Sequence, residues 1–122
     1  MPDRISEGEH AVMEVLWADS PLTAAEVAER VDPARGWSES TIKTMLARLL
    51  AKGALRHEED GRRYLYSPAV ERDDYAARET RRLVDRLFGG RAAPLVAQLA
   101  QEEALSESDI AELEALLKEL RS

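Results

Sequence analysis

Ser40, Lys43, Thr44, Ala47 and Arg48 recur three and four positions apart, so on a helix they share one face. Ile42, Met45, Leu46, Leu49 and Leu50 supply an apolar stripe on the other side of the same segment. Two hydroxyls, a methyl and two long cations on an open helix face suit the major groove of duplex DNA. Threonine and alanine can meet a thymine methyl or a phosphate, and arginine can pair bidentately with guanine. Farther on, Arg62 and Arg63 follow a turn, where they are placed to reach phosphates or a minor groove. The plainer alternative is a solvated helix face and a charged turn. The whole pattern, rather than Lys43 or Arg48 alone, favours DNA.

Little else in the chain can do chemistry. There are two histidines and no cysteine, which leaves no disulfide framework and no thiolate metal site. His10 and Glu14 stand four apart and could share a metal on one helix face. An incidental surface pair is the simpler reading. No nucleophile elbow, zinc-binding H-E-x-x-H or phosphate-cradling glycine loop occurs, and Gly89-Gly90 reads as a helix stop. An enzyme is not expected, nor is a cofactor or a metal. Trp17 and Trp37 adjoin apolar stripes and read as packing residues. Tyr64 and Tyr66 alternate with Leu65, which predicts that one hairpin face packs under the helices; stacking on single-stranded bases is the alternative.

The elements that must position these residues are mainly helical. Ser6-x-x-Glu9 and Thr23-x-x-Glu26 have capping-box spacing, with Leu22 and Val27 placed as a hydrophobic staple on the second helix. Asp19-Ser20-Pro21 and Val31-Asp32-Pro33 stop these two helices. Ser38 is a good N-cap for the third, and Gly53 lies where a helix-ending glycine belongs. Two short runs then flank Glu59-Asp60-Gly61, which predicts a β-hairpin closed by Pro68. Helix, helix, helix, hairpin is the order of a winged helix-turn-helix, here assigned to residues 1–70.

Residues 71–122 read as three further helices. The first runs from about Glu71 to Phe88 and carries Tyr75, Leu83, Val84, Leu87 and Phe88. The second carries Leu95, Val96 and Leu99 and finishes near Leu105. Ser106-x-x-Asp109 caps the third, whose Ile110, Leu113, Leu116, Leu117 and Leu120 approach coiled-coil spacing. Fifty-two residues bury such stripes poorly by themselves. A second copy of the chain is the simplest partner, and the predicted interface is Leu83, Leu87, Phe88, Leu95, Leu99, Ile110, Leu113, Leu116, Leu117 and Leu120. The alternative is a monomer whose helices fold back on the N-terminal unit.

Charge sharpens the assignment. The chain has 122 residues, 44% hydrophobic and 34% charged, with 17 Lys+Arg against 24 Asp+Glu and a net charge of −7. Such a sum argues against a nucleic-acid binder until it is divided. From Arg35 to Arg63 seven basic residues meet four acidic ones, a local +3; from Arg91 to Ser122 three meet seven, a local −4. No apolar run approaches a membrane span, and Met1-Pro2-Asp3-Arg4-Ile5-Ser6-Glu7 lacks the order of a signal peptide. A cytoplasmic protein with no stable membrane association is expected.

The sequence resembles the penicillinase-repressor (BlaI/MecI/CopY) family of winged-helix transcriptional regulators. The matching segments include Ala11 to Trp17, Trp37 to Leu49, Lys52 to Leu55, Gly61 to Pro68, Leu87 to Gly90, Leu95-Val96, Leu105-Ser106 and Asp109 to Leu113. They span nearly the whole chain. The resemblance implies a homodimeric repressor on a palindromic operator of double-stranded promoter DNA. It implies recognition-helix contacts from Thr41, Lys43, Thr44 and Arg48, with Ser38 near a phosphate and Arg62 and Arg63 on the wing. In the family's antibiotic-response members a membrane sensor detects a β-lactam and the repressor is cut at an Asn-Phe bond. The candidate proteolytic position here is Gln98-Leu99, which departs from that dipeptide. The copper-sensing members use cysteine pairs, which this chain lacks. Glu39 stands where several members have proline, and it suits a first helical turn equally well. Rival readings are a winged-helix protein-interaction module and a ligand-sensing regulator with a pocket between the wing and the C-terminal helices.

Overall fold

The computed structural model describes residues 4–122; the Met1-Pro2-Asp3 opening read above lies outside the described residues. Helices α1 (Glu7–Ala18), α2 (Ala24–Arg30) and α3 (Glu39–Ala51) precede strands β1 (Leu55–Asp60) and β2 (Arg63–Pro68), and helices α4 (Arg72–Phe88), α5 (Ala92–Gln101) and α6 (Glu107–Arg121) follow. The fold is mainly α with a small hairpin, as expected. It divides into a unit that ends at Tyr75 and a unit spanning Ala76–Ser122. The division therefore falls inside α4, not before it. Tyr75, in the first turn of α4, lies 5.6 Å from His10 and 5.5 Å from Trp17, ring to ring.

Local chemistry explains where the first helices start. In both α1 and α2 the capping box closes reciprocally, Ser6 with Glu9 and Thr23 with Glu26. Val12, Met13 and Leu16 of α1, Val27 of α2, and Ile42, Leu46 and Leu49 of α3 then meet in one core. Met45 and Leu50, also expected in the stripe, are half-buried at its margin. Burial of each large aliphatic side chain stabilises the fold by about 1.5–3 kcal/mol. Trp17 packs against this core and donates its indole N–H to the carbonyl of Val70 at 2.9 Å.

The hairpin differs from expectation in its turn. Asp60 pairs with Arg63, so Gly61-Arg62 form a two-residue turn, with Gly61 at φ 65°. The Glu59-Asp60 pair belongs to β1. At the other end Leu22 and Tyr66 exchange backbone hydrogen bonds of 3.1 and 2.8 Å, which ties the hairpin to the segment between α1 and α2. This contact adds a short third strand position that the local pattern did not predict.

In the C-terminal unit α5 ends at Gln101, four residues before the expected Leu105. Glu103 takes φ 56° and the Ala104 N–H reaches back to the Leu99 carbonyl at 2.9 Å, which closes the helix early. Ser106 and Asp109 then form a capping box for α6.

Candidate nucleic-acid interface

Helix α3 carries the predicted face because its buried stripe fixes its rotation. With Ile42, Leu46 and Leu49 in the core, Ser40, Lys43, Thr44, Ala47 and Arg48 are all exposed. Thr41 is half-buried at the edge of that face. Ser38 caps the helix: its Oγ accepts the Thr41 N–H at 3.1 Å and lies 3.1 Å from the Thr41 hydroxyl. The Thr44 hydroxyl donates to the Ser40 carbonyl at 3.2 Å. Lys43 Nζ is 3.4 Å from Glu39 Oε2, one turn back. Arg48 has no ion pair among the described residues.

The wing tip supplies the other cations. Arg62 occupies the turn, exposed and without an ion pair among the described residues. Arg63 donates from Nε and Nη2 to one carboxylate oxygen of Asp60, at 3.1 and 2.9 Å. The fold brings Lys43 of α3 and Arg62 and Arg63 of the hairpin onto the walls of one open groove of about 530 Å³. Thr23, Ala24 and Ala25 at the start of α2, Glu39 in the first turn of α3, and Tyr64 and Tyr66 of β2 complete it. Ser38, Ser40, Thr41, Thr44 and Arg48 lie off those walls, on the remainder of the α3 surface. The sequence named Thr23 only as a helix cap, and Ala24 and Ala25 were not singled out. The capping box located the helix start, but its approach to α3 depends on how the two helices cross.

The aromatic wing residues separate. Tyr66 packs against the core, whereas Tyr64 is 43% exposed, so only part of the predicted face is covered. His57 joins them, its ring 4.7 Å from Tyr64 and 5.9 Å from Tyr66. Burial, aided by the neighbouring Tyr64, pushes the Tyr66 hydroxyl above its ordinary range. Behind the hairpin, the guanidinium of Arg56 donates to the Pro68 carbonyl at 3.0 Å.

A second ion pair anchors α3 from beneath. Lys52 Nζ contacts Glu9 Oε1, whose side chain is 3% exposed, and also donates to the Arg4 carbonyl at 2.9 Å. Burial alone would raise the Glu9 carboxyl, but the Lys52 hydrogen bond, the Ser6 backbone N–H and the Lys52 charge together hold it below the usual range. The sequence showed Glu9 only as a capping residue. His10 and Glu14 approach to 3.1 Å, with Arg72 Nε 3.3 Å from the same carboxylate, and no cluster suited to a metal occurs among the described residues.

The predicted interface residues of the C-terminal unit are largely open. Leu83, Phe88, Leu95 and Leu113 are half-buried, while Leu87, Leu99, Ile110, Leu116, Leu117 and Leu120 are exposed. Val96, Leu99, Leu105, Leu113 and Leu116 line a shallow groove of about 280 Å³. Gln98-Leu99 lies inside α5, so its peptide bond is held in helical geometry. No helix among the described residues is long and apolar enough to cross a membrane.

Known proteins match along the same span. The family model described as penicillinase repressor matches residues 5–119. The penicillinase repressor of Bacillus licheniformis is 34% identical over 116 residues, covering 95% of this chain and 91% of that protein. The methicillin resistance regulatory protein MecI of Staphylococcus aureus (strain N315) is 28% identical over 113 residues, covering 93% and 92%. Among solved structures, the B. licheniformis BlaI monomeric form in complex with the blaP half-operator has a TM-score of 0.52 and 40% identity, covering 62% of this chain and 92% of that one. The apo form of MarR from E. coli, at 18% identity and a TM-score of 0.53, covers 95% of this chain and 77% of its own, a likeness of fold alone.

Proposed function

The chain belongs to the penicillinase repressor family, and from that premise we propose that it is a homodimeric transcriptional repressor of a palindromic operator. The family membership itself makes it a DNA-binding regulator, not an enzyme. The observation that carries the finer reading is the convergence of Lys43, Arg62 and Arg63 on one groove beside the exposed hydroxyls and Arg48 of α3. In this reading α3 enters the major groove, with Ser40, Thr41, Thr44 and Arg48 at base edges or phosphates and Ser38 near the backbone. Arg62 and Arg63 hold phosphates from the wing. The unit spanning Ala76–Ser122 pairs with a second copy through Leu83, Leu87, Phe88, Leu95, Leu99, Ile110, Leu113, Leu116, Leu117 and Leu120. Two half-sites about one helical turn apart would then meet the two recognition helices.

Repression is steric, by occupation of promoter DNA in the cytoplasm. Relief through a membrane sensor protease, in an antibiotic response, would use the Gln98-Leu99 bond and would require α5 to unwind there first. The test is a salt-titrated gel shift with an operator selected from a random duplex pool. Arg48→Ala should relax base preference at one position, losing about 1–3 kcal/mol of discrimination. Arg62→Ala should weaken binding to all sequences and lower the salt slope by about one. No change with either variant overturns the interface, and no salt-dependent binding by the wild type points instead to a protein-interaction module.

A further inference from the structure

Two of the four cations assigned to DNA carry their own carboxylate. Lys43 is paired with Glu39, one turn before it on α3, and Arg63 is held by both bonds to Asp60 across the hairpin turn. Arg48 and Arg62 have no such partner among the described residues. Both carboxylates stand at the candidate interface: Glu39 lines the groove with Lys43, Arg62 and Arg63, and Asp60 is the strand residue paired with Arg63. Building on the repressor reading above, we propose that Glu39 and Asp60 are specificity-determining residues, which neutralise Lys43 and Arg63 against non-specific DNA and yield them only to the operator.

The physical reason lies in what each kind of complex can offer. Non-specific binding draws on Coulomb attraction and counterion release, with a slope of about 0.9 per phosphate neutralised. A cation already paired with a carboxylate is locally neutral and releases little. Exposed pairs of this sort are weak, about 0–1 kcal/mol, so a set of directed hydrogen bonds opens them. A fixed register on the operator supplies such bonds, and an averaged register on random sequence does not. The wild type therefore meets non-specific duplex chiefly through Arg48 and Arg62, and meets the operator through all four cations. The consequence is a flatter salt dependence on non-specific DNA than on the operator.

The test uses the full chain, the selected operator and a scrambled duplex of equal length, each titrated with salt. Glu39→Gln and Asp60→Asn should each steepen the scrambled-duplex slope by about one, raising non-specific affinity roughly fivefold to tenfold near 0.1 M salt. The operator slope should rise by less than the scrambled-duplex slope, so the specificity ratio falls. Glu114→Gln, which removes an equal charge from α6, should move neither slope, and circular dichroism should show all variants folded. Scrambled-duplex slopes that stay at the wild-type value, or that rise equally with Glu114→Gln, overturn this inference alone. Wild-type protein that binds neither duplex overturns the repressor reading and this inference with it.

Discussion

The unit ending at Tyr75 and the unit spanning Ala76–Ser122 treat their apolar side chains in opposite ways. In the first, Val12, Met13, Leu16, Val27, Ile42, Leu46 and Leu49 are fully removed from water. In the second, Val84 is the only buried large aliphatic residue among those described, while Leu116, Leu117 and Leu120 are 52%, 58% and 73% exposed. Capping boxes close α1 and α2 in the first unit and α6 in the second, so the presence of a cap does not by itself divide the units. The difference comes from what the helices pack against. Three helices and a hairpin enclose a core, whereas α4, α5 and α6 leave a stripe uncovered. Exposed apolar surface of that kind marks an association face, which supports the proposed pairing of two copies through the second unit while the first carries its own core.

Four experiments would break or sharpen that contrast. Leu46→Ala, in the centre of the N-terminal core, should cost about 2–5 kcal/mol in urea unfolding. Leu120→Ala should change the same transition by less than about 0.5 kcal/mol; comparable losses would show that the two units are not energetically distinct. Next in size, replacing Leu116 and Leu117 with Glu should yield monomers in sedimentation and weaken operator binding at least about a hundredfold, through the lost effective concentration of the second reader. An unchanged mass would remove the assembly role from α6.

The third experiment concerns pH and the N-terminal unit alone. The Glu9 carboxyl is held below its ordinary 4.5 despite its burial. Its stabilising contribution is therefore complete above about pH 4.5 and disappears as pH falls through the lowered value. Glu9→Gln should lose about 1–3 kcal/mol at neutral pH, and the gap to wild type should close in acid; a gap independent of pH would show that the charge is not what Lys52 recognises. Smallest is Ser106→Ala, which removes the α6 cap and should lower that helix's stability by about 0.5–2 kcal/mol, read by hydrogen exchange. Equal loss of protection in α1 would mean that the units unfold together.

Much of this was legible in the sequence where the determinant is local. The caps at Ser6, Thr23, Ser38 and Ser106 lie within three residues of the groups they satisfy, and each forms as read. The α3 face was legible because the apolar stripe fixes the rotation of a helix. Non-local contacts were not. The hairpin turn fell at Gly61-Arg62 instead of Glu59-Asp60-Gly61, in a register whose far end is tied by Tyr66 to Leu22. The Lys52–Glu9 pair joins residues separated by most of a domain, and no periodicity reports it. Likewise, Glu103 gave no sign that it would adopt a left-handed conformation and shorten α5. At the candidate interface, residue types were legible, but the pairing of Lys43 with Glu39 and Arg63 with Asp60 required side-chain geometry.

The backbone bonds between Leu22 and Tyr66 give the wing a fixed mount. They lie near the base of the hairpin, whereas the turn residues Gly61 and Arg62 sit at its free end. Aim and lettering are thus handled by different parts of the same strand pair. In the proposed DNA complex, a new two-residue turn would alter what the wing touches and leave its bearing unchanged, so the tip is where we expect this scaffold to accept a new address.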